Sequence, residues 1–452
     1  MTLTKNNKND INMLSGTLWD KILWFAIPLA ATSILQQLFN AADVAVLGQF
    51  VGKEAMAAVG SNAPLTGLLV NLFVGLSIGS NVVIARCIGQ RNQKRIQDAI
   101  HTSIAVAGIS GFIVMVLGLL VCDPMLVILG VPAEIKPLAG LYLRIIMIGM
   151  PFTMLYNFLS AIFRSRGDTN TPLIVLGITG CINVVLNLVF VVGLHRSVDG
   201  VALATVIANA CSAAILLYVL RSRTPDPYRV HLRKLRINGY IVKDVMRIGI
   251  PSGVQGMVFS ISNLIIQSAI NSLGADVMAG SSAAFYLEIF AFFILNAFSQ
   301  ACTTFVGQNY GAGNYARCRR AIRWCLWMNV GFTMALAIAI ILFVDPLLRI
   351  FNPDPDVIAM GHIRVVALLS FEFFNCINET LSAAMRGLGY SLVPALTSLI
   401  GICGVRILWV YFVFPMRHTF PTLLICYPLS WCVTMFVMLA AYLAVSRKVL
   451  GH

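Results

Sequence analysis

Five ionisable side chains, Asp43, Glu288, Glu372, Glu379 and Arg406, stand inside long apolar stretches of this 452-residue chain. A charge surrounded by hydrocarbon costs a few kcal/mol or more, so each is a functional candidate by default. Asp43 keeps the most suggestive company. Asn183 and Asn187 lie one helical turn apart, and Thr205 falls in the next apolar stretch. Counted at about 1.5 Å per residue, Asp43, Asn187 and Thr205 share a depth of roughly 9 Å from the outer ends of their helices, with Asn183 one turn deeper. Four oxygen-bearing side chains can therefore converge. Hard cations seek such oxygens, and a lone carboxylate taken out of water also holds a proton more readily. The set reads as a cation-coupling site for Na⁺ or H⁺, with no metal implied beyond that Na⁺. Asparagines that only hydrogen-bond between helices would give the same pattern.

The other charges form a second group. Glu288 and Arg406 lie at similar depths, about ten and eight residues from the outer ends of their stretches, which suggests a buried ion pair, static or broken as a switch. Glu372 and Glu379 are seven residues apart, two turns along one helix face, where they could line a cleft and attract a cationic substrate. Gln36 and Asn40 share the first stretch with Asp43, and Gln255 and Asn263 lie in the seventh, with Phe39 and Phe259 among them. Amide and aromatic groups in that arrangement could hold varied molecules, and contacts between helices would explain them equally well.

These residues are positioned by elements that the composition makes plain. The chain is 58% hydrophobic and 11% charged, with a mean hydropathy of +0.85, far outside the range of water-soluble domains. Apolar runs fall at about 18–47, 56–86, 96–121, 138–161, 172–193, 199–220, 243–271, 278–306, 320–344, 359–384, 390–414 and 421–445, each long enough to cross a bilayer. The N-terminus is polar and leads straight into a full-length run, with no short apolar region and cleavage site. The eleven cysteines stand without a C-x-x-C pair and read as small buried hydrophobes.

The net charge of +14 raises the prospect of nucleic acid, but its distribution argues otherwise. With a cytoplasmic N-terminus, 24 of the 32 Lys and Arg fall on the inner side, 7 on the outer side or outer span ends, and Arg406 within a span. That is the positive-inside pattern of twelve spans with both termini cytoplasmic, and no nucleic acid is needed to explain it.

The second half repeats the first. Gly52 and Gly274, Met56 and Met278, Arg164 and Arg386, Gly167 and Gly389, Pro172 and Pro394, and Cys181 and Cys403 are each 222 apart, and Pro28 and Pro251 are 223 apart. Six spans per half, an even number, make the halves parallel, related by a pseudo-twofold axis along the membrane normal with a cleft between them. The expectation is an all-α membrane protein: a cytoplasmic tail at 1–16, an N-lobe at 17–221, a cytoplasmic linker at 222–240 and a C-lobe at 241–452. The linker mixes basic and apolar residues and suits an interface with anionic lipid. The polar set around Asp43 does not recur: its counterparts are Ile265, Val405, Trp409 and Tyr427.

The segments NAADVAVLGQFVGKEAMAAVG, AIFRSRGDTNTP, SISNLIIQSAINSLGADVMAG, FSQACTTFVGQNYGAGN and AAMRGLGYSLVP, in this order, resemble the MATE (multidrug and toxic compound extrusion) transporters over nearly the whole chain. The resemblance implies a bundle of two lobes that exchanges an outgoing organic substrate, often cationic or amphipathic, for incoming Na⁺ or H⁺. Asp43, Asn183 and Thr205 match the N-lobe cation site of the DinF-like branch, whereas Asn187 stands where that pattern often has a second Asp. The NorM-like branch has acids on spans 7 and 10, and the stretch SGVQGMVFSISNLIIQSAI of span 7 here has none. The chain is therefore expected to lie closer to the DinF-like branch, as a monomer in the bacterial inner membrane. A flippase for a lipid-linked saccharide, from the same superfamily, is the alternative. A channel or sensor would need a pore-lining oligomeric helix or a signalling domain, and neither is visible. No nucleotide-binding or hydrolytic motif occurs and no cofactor is implied, so the chain is read as a transporter driven by an ion gradient, not an enzyme.

Overall fold

With no water in hydrocarbon to bond exposed peptide groups, a chain of this composition can cross only as helices that satisfy their own backbone. The computed structural model describes residues 10–128 and 131–451, and among these there is no strand. Ten helical segments are long and apolar enough to span a membrane: Trp19–Phe50, Val70–Gly89, Gln93–Val127, Asn170–Gly193, Val198–Ser222, Gly239–Asn271, Ala275–Gly311, Tyr315–Leu342, Leu392–Met416 and Phe420–Leu450. Two more are bent pairs, Lys136–Ile148 with Met150–Arg166 and Pro355–Leu369 with Glu372–Gly387. Counting each pair once gives twelve spans, numbered 1 to 12 along the chain, with the bent pairs as spans 4 and 10. Large apolar side chains point outward along them; Leu120 and Ile400 are each 70% exposed, which only a hydrocarbon surround makes favourable.

The repeat extends to backbone detail. The bends, 48° and 45°, fall at equivalent places, since the second helices of the two pairs start at Met150 and Glu372. In span 4 the cause is local: Pro151 has no N–H to give, and Gly149 precedes it. In span 10 Phe371 and Phe373 occupy those positions and the bend persists, so it belongs to the packing and not to proline. The turns match as well. Gly52 and Gly274, at the starts of the second helix in each half, have φ of +125° and +107°, values that a side chain would make costly.

The structure divides into two compact units. One holds residues 10–12 and Ala31–Gly253, the other Met13–Ala30 and Val254–His452. The boundaries fall inside spans 1 and 7 and not in the 222–240 linker, and the packing of span 7 supplies a reason. Within the first unit, Gly249 and Gly253 of span 7 meet Gly75 and Gly79 of span 2 so closely that a Cβ on Gly75 would strike the backbone of Gly253 and one on Gly253 the carbonyl of Leu72. Small residues one turn apart let helix backbones touch, and dispersion then holds them where hydrophobic driving force is absent. The linker is also tied into this unit. The Thr102 hydroxyl lies 3.2 Å from the Arg236 carbonyl, the Asn238 N–H donates to Thr102 Oγ1 at 3.1 Å, and Val230 is buried.

The glycine crossing can be tested directly. Gly75→Ala and Gly253→Ala place a methyl against backbone that no rotamer change relieves, and each should lower stability by about 1–3 kcal/mol, as overpacking does. Gly177→Ala, where the added carbon meets nothing within 4 Å, should leave the melting temperature in detergent unchanged or slightly raised. Equal melting of all three variants would remove the close crossing from the account.

Candidate functional site

Asp43 lies in span 1 and is 6% exposed. Spans 5 and 6 bring their polar residues to it. Asn187 Nδ2 donates to Asp43 Oδ1 at 2.6 Å, and the Thr205 hydroxyl donates to Asp43 Oδ2 at 3.0 Å. Asn183 closes the ring: its amide donates to Thr205 Oγ1 at 3.4 Å and its Oδ1 accepts from Asn187 at 3.4 Å. The four residues separated by up to 162 positions thus meet in one cluster within the first unit. Asn187 sits just before a π-helical turn, Val189–Gly193, a local widening that often marks functional positions in helices.

Two features make the cluster unusual. No lysine or arginine pairs with Asp43 among the described residues, so its only direct partners are neutral. Asn187 Oδ1 is buried and has no hydrogen-bond partner, a state that costs about 1–3 kcal/mol when it is not relieved. A half-turn of the amide would present that oxygen beside the carboxylate, with Asn183 Oδ1 and Thr205 Oγ1 completing an all-oxygen set around one negative charge. Such donors fit a small hard cation.

The second unit contains a different arrangement, and it corrects the expected pairing of Glu288 with Arg406. Glu288 instead makes a two-pronged bridge to Arg364, with Nε to Oε1 at 2.9 Å and Nη2 to Oε2 at 3.0 Å. Ser281 accepts from the remaining Arg364 nitrogen. Arg364, not among the five charges singled out from the sequence, is 5% exposed within the first helix of span 10. The sequence signal was an arginine within the apolar run that also carries Glu372 and Glu379. Arg406 is held by neutral groups: Nε donates to Ser430 Oγ at 3.1 Å, Nη1 to Asn263 Oδ1 at 3.3 Å, and its guanidinium lies 4.4 Å from the Tyr427 ring centre.

The cleft candidates separate into groups. Gln36, Asn40 and Asn263 are exposed, and an exposed amide on a spanning helix indicates water, not lipid, at that face. Gln255 is buried, giving its amide N–H to Ser398 at 3.0 Å and accepting from Arg386 at 3.3 Å. Glu379 meets the same arginine at 3.4 Å, so it is committed to a partner and not free to draw a cation. Glu372, 6% exposed, accepts from the Asn375 amide at 2.8 Å and forms no ion pair among the described residues. As the first residue of its helix it places a carboxylate where the unpaired N–H groups favour one.

Comparison with known proteins gives a consistent picture. The MatE family model matches residues 28–189 and again 251–412, one match per half. A probable multidrug resistance protein NorM of Thermotoga maritima is 31% identical over 392 residues, covering 86% of this chain and 84% of its own length. A probable multidrug resistance protein YoeA of Bacillus subtilis is 26% identical, with 86% of each chain covered, and an FAD transporter of Shewanella oneidensis is 24% identical over 71% of each. Among solved structures, an outward-facing multidrug resistance MATE transporter of the MOP superfamily superposes with a TM-score of 0.89 at 22% identity, covering 99% of both chains. A MOP superfamily transporter from Pyrococcus furiosus, described as having a binding pocket of reversed polarity, gives the same TM-score, identity and coverage. At that identity the likeness establishes the fold.

The ion pair at Arg364 has a measurable weight. Glu288→Gln or Arg364→Met alone strands a buried charge and should cost about 3–5 kcal/mol. The double variant removes both charges and should recover most of that loss in thermal unfolding of the purified protein. Singles that melt like the parent would show that the pair is solvated and carries little.

Proposed function

The chain belongs to the MATE family, and from that premise we propose that it is a secondary antiporter exporting organic cations or amphipathic molecules in exchange for Na⁺ or H⁺ by alternating access. The observation that carries the reading is the buried Asp43 carboxylate, partnered only by neutral groups and set beside an orphaned amide oxygen. A site built this way gains most when a cation or a proton enters and loses it when the charge leaves, which is what coupling requires. Relatives named for multidrug resistance support the substrate class.

Asn183 and Thr205 around Asp43, with no acid in the stretch SGVQGMVFSISNLIIQSAI of span 7, favour the DinF-like branch over the NorM-like one. Asn187 leaves the site one charge short of two carboxylates, which weakens the hold on Na⁺ and shifts the balance toward H⁺. The excess of Lys and Arg on one side supports cytoplasmic termini in an inner membrane.

Uptake of a fluorescent cation into inverted membrane vesicles, driven separately by Na⁺ and H⁺ gradients, tests the assignment. Asp43→Asn should reduce gradient-driven accumulation tenfold or more while dye binding persists. Asn187→Asp, which supplies the second carboxylate, should raise the Na⁺-driven share. Unchanged gradient-driven transport by Asp43→Asn would remove the residue from coupling.

A further inference from the structure

We propose that Arg406 is the receiving group for an oxyanion, a carboxylate or phosphate carried by the exported molecule, so that the substrate class includes amphoteric compounds. This narrows the exporter reading above and rests on it.

Three observations lead there. The first is an internal comparison of the arginines set into spans 10 and 11. Arg364 bridges Glu288 and Arg386 meets Glu379, so each has its counter-charge. Arg406, 3% exposed, has none within ion-pair distance among the described residues and is held by Ser430, Asn263 and the Tyr427 ring. Glu372 is close enough to interact with it electrostatically but bonds to Asn375 instead. An unpaired guanidinium in hydrocarbon is expensive, and the fold that pairs its two neighbours leaves this one for another partner.

The second observation is access and local geometry. Asn263, which touches Arg406, is exposed on a spanning helix, the mark of a face wetted by water. Arg406 itself stands on a four-residue α-helical stretch, Val405–Leu408, between two π-helical turns, Leu399–Gly404 and Trp409–Val413. One such turn inside a helix is uncommon and frequently functional, and two flanking a single charge are more so.

The third is the repeat. Shifted back by 222, the residues around Arg406 fall on the spans that build the Asp43 cluster: Asn263 on Ala41 beside Asp43, Tyr427 on Thr205, and Val405 next to Arg406 on Asn183. The three corresponding spans hold a carboxylate in one unit and a guanidinium in the other, at positions that are offset and not equivalent. A guanidinium presents a planar fork that fits carboxylate or phosphate in two bonds, and the Tyr427 face holds that plane in place.

The test uses two dyes in inverted membrane vesicles: a rhodamine bearing a free carboxylate and its methyl ester, a cation of nearly the same shape. The wild-type protein should transport the acid in preference to the ester, and Arg406→Gln should lower the acid-to-ester ratio at least tenfold, about 1.4 kcal/mol. A phosphorylated dye should compete with the acid in the wild type and not in Arg406→Gln. If Arg406→Gln is inactive toward both dyes, the ratio is read in Arg406→Lys, which keeps the charge, loses the fork, and should fall at least threefold. An unchanged ratio in either variant, or a wild type indifferent to the carboxylate, overturns the inference and leaves the exporter reading standing. Gradient-driven transport of neither dye by the wild type overturns both.

Discussion

Hydrocarbon offers nothing to bond with, and every level of this structure answers to that. The backbone responds first: among the described residues the spans are helical, with interruptions at the two bends, at short π-helical and 3-10 turns, and at Ile425 in span 12. Side chains respond next. Arg364 and Arg386 find carboxylates, the Asn329 amide donates to Thr380 at 2.9 Å, and small residues let helices touch where water would otherwise have driven them together. Against that background a polar group left with less than a full set of partners is informative. Asp43, with neutral direct partners only, and Arg406, with no carboxylate within ion-pair distance among the described residues, are such groups.

The repeat separates scaffold from chemistry. Backbone features recur at a fixed shift: the bends starting at Met150 and Glu372, and the left-handed glycines at 52 and 274 and at 167 and 389. Arg164 recurs as Arg386, but Asp43, Glu288, Glu372, Glu379, Arg364 and Arg406 have no charged counterpart. Glu372 faces Met150 across the repeat, Arg364 faces Tyr142, and Arg406 faces Val184. A feature that both halves keep despite different residues, such as the bend without a proline in span 10, is required by the packing. A feature confined to one half is free of that requirement, and selection for function is what remains to explain its cost in hydrocarbon.

That division sets what could be read from the sequence. The spans were legible because composition and length nearly determine them, and the spatial meeting of Asp43, Asn183, Asn187 and Thr205 followed from depth counting along helices of known rise. Depth alone failed for Glu288. Arg364 and Arg406 both lie within its reach along the membrane normal, and only the rotation of each helix decides which guanidinium faces it. The burial of Gln255 escaped for a related reason: an amide reads the same on a wet face as in a knot with Ser398 and Arg386.

The two lone charges have a shared consequence for how the helices behave. A carboxylate held by amides and a hydroxyl, or a guanidinium held by amide, hydroxyl and ring, has partners whose hydrogen bonds can be exchanged one at a time. A buried two-pronged bridge such as Arg364 to Glu288 can be broken only by stranding both charges at once. The bridge is therefore suited to hold a helix pair fixed, and the neutral shells are suited to accept and release a ligand. The π-helical turns adjoin Asn187 and Arg406 and not Arg364, which places the looser backbone beside the exchangeable shells and leaves the rigid bridge on a regular helix.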